Sequence, residues 1–299
     1  MATAPMKPDP ITLKQRALPV LAVLAATVLL WYLGCVGLNS AGAIERVLAP
    51  KGPYTFGELV HTTLNMQRPV LPSPHQVAAD LYSSLVDWPL DSPRNLLYHA
   101  AVTAQSTLVG FVLGTLLGVV LAAAIVHSRT LDRALLPWIV ASQTVPVLAI
   151  APIVLVILGS LGFSGVAPKA AIAMYLCFFP VTVACVQGLR SPQRIETELM
   201  HTYAASRMQA FWMLRMPAAL PFLFPSLRVA IAAGVVGAMV AELPTGAQAG
   251  LGAKLLTGSY YGNTVGIWSA LVMSALLGLG LTAAVSMVER LVMRRGGAA

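Results

Sequence analysis

The side chains able to do chemistry are few and scattered. Five histidines (His61, His75, His99, His127, His201) stand singly. There is no HExxH pair for zinc, no GxSxG elbow for a nucleophilic serine and no GxxxxGK[ST] loop for a nucleotide. Cys35, Cys177 and Cys185 form no CxxC and lie in apolar stretches, where they read as small buried hydrophobes. No catalytic residue, metal site or cofactor of the chain's own is expected. What remains are polar residues in apolar surroundings. Glu242 stands near the end of an apolar run, and an ionisable group at membrane depth marks a solute or proton path. Its bland alternative is a carboxylate at headgroup level. Ser142, Gln143 and Thr144 precede Pro146 and Pro152. Proline frees backbone carbonyls, which lipid tolerates only where they face protein or a watery cavity. Ser142, Gln143, Thr144, Pro146 and Glu242 are therefore the candidate lining of a translocation path. The competing reading is a kinked helix whose hydroxyls bond their own turn.

The elements that must carry these residues follow from composition. The chain has 299 residues, 57% hydrophobic and 10% charged, with a mean hydropathy of +0.77. Soluble domains carry about 25% charged residues, so lipid must be the main solvent. Disorder is excluded by the same figures. The net charge of +8 comes without a basic run interleaved with aromatics, which excludes nucleic acid as a partner. About 20 apolar residues cross a bilayer. The charge-free stretches predict six helices, at 17–38, 100–126, 136–158, 169–189, 223–244 and 265–288, with Arg228 snorkelling. The apolar core of the first is longer than that of a signal peptide, so it reads as a retained anchor. Gly110, Gly114 and Gly118 recur every four residues and predict close helix packing, within the chain or between chains.

Six spans put both termini on one side. With that side cytoplasmic, the inside segments hold 13 Lys and Arg against 5 Asp and Glu, and the outside 6 against 6. The whole excess charge then lies inside, as insertion requires. The chain divides into a cytoplasmic tail (1–16), the first span (17–38), an external segment (39–99), a core of five spans (100–290) and a second cytoplasmic tail (291–299). Within the external segment, Val77, Leu81 and Leu85 predict an amphipathic helix over 75–87.

The longest inside loop, 190–217, reads RSPQRIETELMHTYAASRMQAFWMLRMP. Ile195, Leu199 and Thr202 share one face of a first short helix. Ser206 and Gln209 form a capping-box signature for a second, broken from the first at Ala204-Ala205 and ended at Pro217. Two short rods with a tight corner would offer a knob to a partner. A simple interfacial helix is the alternative.

This loop resembles the EAA loop of ABC-importer permeases, E-A-A-x3-G-x9-I-x-L-P. Glu198 and Pro217 match at the required separation; Leu199 and Met200 replace the alanines, Ala204 the glycine, and Leu214 and Met216 the last apolar pair. AASRMQAFW at 204–212, PAALPFLFPSLRVA at 217–230, LPSP at 71–74, ASQTVPVLAIAPIVLVILG at 141–159, and AEL at 241–243 with Gly250-Leu251-Gly252 are similar to permeases of the nitrate/sulfonate/taurine type. The likeness covers about 71–295. It implies an all-α, six-span type I permease of the bacterial inner membrane, paired with a second permease subunit, the same or paralogous. It further implies two cytoplasmic ATP-binding cassette subunits, which would hold the ATP and magnesium, and an external substrate-binding protein. The coupling loop would comprise Glu198, Leu199, Thr202, Ala204, Ala205, Ser206, Arg207, Phe211, Leu214 and Pro217, with Leu199 and Phe211 as apolar anchors on the ATPase. The implied cargo is a small polar solute: nitrate, a sulfonate, taurine or a thiamine-precursor pyrimidine. A lining without an arginine cluster favours the neutral heterocycle. An ion-coupled secondary transporter is the alternative, although it would carry several intramembrane charges. If the corner at Ala204 needs a positive φ, alanine there costs about 1 kcal/mol relative to glycine.

Overall fold

A computed structural model describes residues 13–244 and 249–296 of the chain. Every regular element among them is helical. The order is α1 (Leu13–Ala43), α2 (Phe56–Leu64), α3 (Pro74–Val86), α4 (Leu96–His127), α5 (Arg129–Ser142), α6 (Val147–Ser160), α7 (Val166–Leu189), α8 (Arg194–Thr202), α9 (Arg207–Ala210), α10 (Met216–Glu242), α11 (Leu251–Tyr261) and α12 (Thr264–Gly296). Five helices are long and apolar enough to cross a membrane, and the bent pair α5–α6 makes a sixth crossing if taken as one span.

Contacts divide the chain into two units. The described residues of Met1–Tyr82 with Tyr261–Ser269 form one, and those of Ser83–Tyr260 with Ala270–Ala299 the other. In the first unit, the helix expected over 17–38 runs on to Ala43 and then tightens through a π turn (Ile44–Leu48). Asn39, on this extension, is 1% exposed and uses both ends of its amide. Its nitrogen donates to the carbonyls of Thr63 and Leu71 at 3.2 and 2.8 Å. Its oxygen accepts the N–H groups of Val70 and Leu71 at 2.8 and 3.1 Å. A buried amide stabilises only when satisfied in this way, and here it pins the turn after α2 back onto α1. Thr55 and Glu58 start α2 with a capping box, and the Thr55 donors hold the exposed Glu58 carboxyl below the usual carboxylate range.

The second unit is built on α4, α7 and α10. A Cβ on Gly110, Gly114 or Gly118 would come within 2.5 to 2.9 Å of Ala173, Cys177 or Val181 on α7. The glycine stripe is thus the close-packed seam between α4 and α7 within one chain. Cys177 is 0% exposed and donates its thiol to the Ala230 carbonyl of α10 at 3.1 Å, consistent with a small buried hydrophobe. Arg228, expected to snorkel, keeps a partly exposed side chain and stands 3.5 Å from Glu289 of α12.

Two expected helices need correction. The helix expected over 136–158 is broken: α5 ends at Ser142, α6 begins at Val147, and their axes differ by 103°. Pro146, with ψ of 120°, serves as the N-cap of α6. A proline disfavours the helical conformation at the residue before it, and here the break becomes a corner rather than a kink. The span expected at 223–244 begins at Met216, and the chain before it is helical from Arg207 through a π turn (Phe211–Arg215). Pro217 does not end the second short rod. It sits in the first turn of α10, directly after the π turn.

Candidate functional site

Functional geometry gathers at both ends of the second unit. At one end α7 finishes and α10 starts, and α8 stands between them as a free rod. Gln193 and Glu196 form its capping box, and the Glu196 carboxylate accepts the Gln193 N–H at 2.7 Å. Glu198 pairs with Arg194 at 2.8 Å, both well exposed. An exposed pair of this kind contributes at most about 1 kcal/mol, so Glu198 can change partner cheaply. Ile195 and Leu199 are 69% and 54% exposed, an apolar stripe that the described residues leave open. Thr202 spends its hydroxyl on the Glu198 carbonyl at 3.1 Å.

The rod stops in a Schellman turn. The Ala204 N–H donates to the His201 carbonyl at 2.9 Å and the Ala205 N–H to that of Met200 at 3.0 Å. This pairing requires a left-handed residue between them, and Ala204 supplies it with φ of 52°. Ser206 then caps α9: its hydroxyl accepts the Gln209 N–H at 3.2 Å and its own N–H donates to the Gln209 side chain at 2.8 Å. The capping box at Ser206 and Gln209 is therefore present. Alanine at the left-handed corner costs about 1 kcal/mol. Ala204→Gly should keep transport and slow amide exchange across α8 by about fivefold; hydrogen-exchange mass spectrometry reads this directly.

Phe211 requires a correction. It is 8% exposed and packs 5.0 Å from the His127 ring at the end of α4, within the main apolar cluster. It anchors the loop to its own unit and is not available to a partner. Leu214 is half-buried on the π turn. The apolar side chains left exposed are Ile195, Leu199, Tyr203, Met208, Trp212 and Met213.

At the opposite end, where α4 and α7 begin and α10 finishes, Glu242 is 0% exposed. Its carboxylate is enclosed by protein rather than held out at a surface. Its carboxylate accepts the Thr103 hydroxyl at 2.9 and 3.1 Å and the Gly252 N–H at 2.8 Å, with the Lys169 ammonium 3.8 Å away. Thr103 in turn accepts the Leu251 N–H at 2.9 Å. The Gly250 N–H donates to Nδ1 of His99 at 3.1 Å, while Nε2 of His99 donates to the Pro93 carbonyl at 2.8 Å. The N–H groups of Gly250, Leu251 and Gly252 open α11. A helix start leaves such donors unpaired and carries a partial positive charge. The cluster places one carboxylate, one hydroxyl and one imidazole against them. Gly250, at φ of 129°, lies so close to Glu242 that a Cβ there would overlap the carboxylate. Lys169 also donates to the Ala249 carbonyl at 3.1 Å.

His99, Thr103 and Lys169 were not singled out from the sequence. Their one available signal was charge: Lys169 and Glu242 each sit alone at the end of an apolar run. Beside the cluster lies a cavity of about 670 Å³, lined in part by Tyr98, Gln105, Pro152, Phe163 and Lys169.

The other expected path residues, Ser142, Gln143, Thr144 and Pro146, stand in the corner between α5 and α6. Ser142 and Thr144 bond carbonyls of their own turn, Ile139 and Ala141, at 2.7 and 2.8 Å. Gln143 and Thr144 are exposed. Tyr175 of α7 donates its hydroxyl to the Ser142 carbonyl and so holds the corner to the bundle.

A broken span, a short exposed rod between two spans and a glycine-bearing helix start locked on a buried carboxylate together describe a transport subunit. The family of binding-protein-dependent transport system inner membrane components matches residues 114–295. The formylaminopyrimidine transport permease ThiX of Halalkalibacterium halodurans is 33% identical over 75% of this chain and 85% of its own length. The riboflavin transport system permease RibX of Chloroflexus aurantiacus is 32% identical over 75% and 80%. The taurine transport system permease TauC of Escherichia coli is 27% identical over 74% and 80%. The chain belongs to this family: it is an ABC-transporter permease, a multi-pass protein of the cytoplasmic membrane.

Proposed function

We propose that this chain forms half of the solute path of an ATP-driven importer, with both termini and α8 in the cytoplasm. A second permease subunit supplies the other half, and two ATP-binding cassette subunits grip the two α8 rods. An external binding protein delivers the solute. The observation that carries this reading is α8 itself: a capped rod, exposed on its apolar face and locked at its far end by a Schellman turn. Such a rod transmits a push from a partner without melting. Ile195 and Leu199 serve as its anchors, and Glu198 orients the partner more than it adds affinity.

The corner at Gln143–Pro146 supports a lining role, because irregular backbone at membrane depth belongs beside protein or water. The solute class best supported is a flat, neutral nitrogen heterocycle. Two relatives above 30% identity are named for a formylaminopyrimidine and for riboflavin. The rings of Tyr98 and Phe163 and the Gln105 amide line the large cavity, a combination that stacks and hydrogen-bonds such rings. An ion-coupled secondary transporter is the competing reading. Its carrier would work without an ATPase, and uptake would follow an ion gradient.

The test is Glu198→Lys in vesicles carrying the whole assembly. The substitution puts a cation beside Arg194 and reverses the charge offered to the ATPase. ATP hydrolysis should no longer respond to the loaded binding protein, and uptake should fall by about tenfold or more, the size of effect expected for a truncated interface charge pair. Wild-type uptake with coupled hydrolysis would reject the role of α8. Thermal-shift screening of the binding protein against pyrimidines, taurine, sulfonates and nitrate assigns the solute.

A further inference from the structure

Beneath the coupling rod lies a cavity of about 300 Å³ whose charged lining is entirely cationic or imidazole. Arg207 and Arg215 line it with His127 and His201, Thr197 contributes to one wall, and Phe211 closes another. No Asp or Glu is among its lining residues. The nearby acids are engaged elsewhere. Glu198 pairs with Arg194 at 2.8 Å, Asp132 with Arg190 at 2.9 Å, and Glu196 caps Gln193 at 2.7 Å. Among the described residues neither Arg207 nor Arg215 has an ion pair or a side-chain hydrogen bond.

Two guanidinium groups lining one concavity carry like charge and repel each other. An anion removes the cost. Guanidinium groups present planar forks that match phosphate oxygens two at a time, and imidazole adds a further donor or stacking face. The lining also has a defined depth. His127 is the last residue of α4, and Arg215 ends the π turn that enters α10. His127 thus closes one apolar helix long enough to span a bilayer, and Arg215 leads into the apolar part of another.

We propose that this cavity is a binding site for a phosphate group, either free or carried on a lipid headgroup. The site wedges α8 and the π turn against the end of α4, and so sets the rest position of the rod. It does not depend on the solute or on the partner ATPase.

The test uses the full-length chain, purified in phosphate-free detergent buffer at constant ionic strength. Phenylglyoxal modifies accessible arginines, and mass spectrometry reads each site. Inorganic phosphate is one probe and mixed micelles containing phosphatidylglycerol are the other. At about ten times the probe's Kd, modification of Arg207 and Arg215 should slow by about tenfold, with the exposed Arg129 and Arg133 unaffected. Protection by both probes assigns a free phosphate; protection by phosphatidylglycerol alone assigns the headgroup. Thr197→Glu puts a carboxylate in the wall and should abolish protection in a chain that still elutes as a single species. Equal modification with and without both probes overturns the proposal and leaves the cations for a carboxylate of a partner. Protection that survives in Thr197→Glu overturns it as well. Should that variant not fold, the wild-type ratios decide alone.

Discussion

Replacing Glu242 by leucine should cost about 3–5 kcal/mol, because it strands a buried ammonium. Lys169 would keep only the Ala249 carbonyl, and the Gly252 N–H and Thr103 hydroxyl would lose their acceptor. The reverse deletion should be milder. In Lys169→Met the carboxylate retains the Thr103 hydroxyl, the Gly252 N–H and the positive end of α11. The distances point the same way: the neutral donors stand at 2.8 to 3.1 Å, the ammonium at 3.8 Å. The double variant should recover part of the loss, since an absent pair is cheaper than half of one. Thermal unfolding of the four proteins in one detergent measures all three statements. A Glu242→Leu chain as stable as wild type would show that the carboxylate is dispensable to the junction of α4, α7, α10 and α11. This variant should also abolish transport, because α11 loses the acceptor that seats its first turn. Loss of stability and transport together in Glu242→Leu would assign the carboxylate to the frame that holds the path; loss of transport in a chain as stable as wild type would assign it to the lining.

How far the sequence reached depended on how local each signal was. The capping box at Ser206 and Gln209 spans four residues and was legible in full. The positive φ at Ala204 was foreseen as a condition of the corner, because a glycine stands there in the resembling motif. The spans were legible from charge-free length, although their ends shifted where helices continue beyond the minimum needed to cross a bilayer, as at Ala43 and Met216. The corner between α5 and α6 was read as a kink. Two prolines in an apolar run say that hydrogen bonds are missing, but not that the axis turns by 103°. Phe211 was misplaced because its burial depends on His127, 84 residues earlier in the chain. The same distance problem hid Lys169 from Glu242. Each looked like a charge at the end of an apolar run, and only the packing of α7 against α10 makes them partners.

The packing that creates this partnership rests on the seam between α4 and α7, and there the second large effect is expected. Gly114→Ala would put a Cβ 2.6 Å from that of Cys177 and 2.9 Å from the Met174 carbonyl. The Cys177 Cβ is fixed to its own backbone and the Met174 carbonyl is backbone itself, so the helices themselves must separate. Overpacking of this kind costs about 1–3 kcal/mol for one methyl group. Adding Gly110→Ala and Gly118→Ala, each also close to α7 backbone, should leave no folded chain, judged by size-exclusion elution and loss of a cooperative transition. Cys177→Gly should rescue Gly114→Ala only in part, because the Met174 carbonyl stays in place. The control has the opposite sign. A methyl group added at Gly280 of α12 would meet nothing within 4 Å, and Gly280→Ala should stabilise by up to about 1 kcal/mol through helix propensity alone. If Gly114→Ala instead behaves like Gly280→Ala, the two helices are not in close contact in the membrane. Lys169 and Thr103 would then not be held in reach of Glu242, and the junction that seats α11 would have to be assembled by other residues.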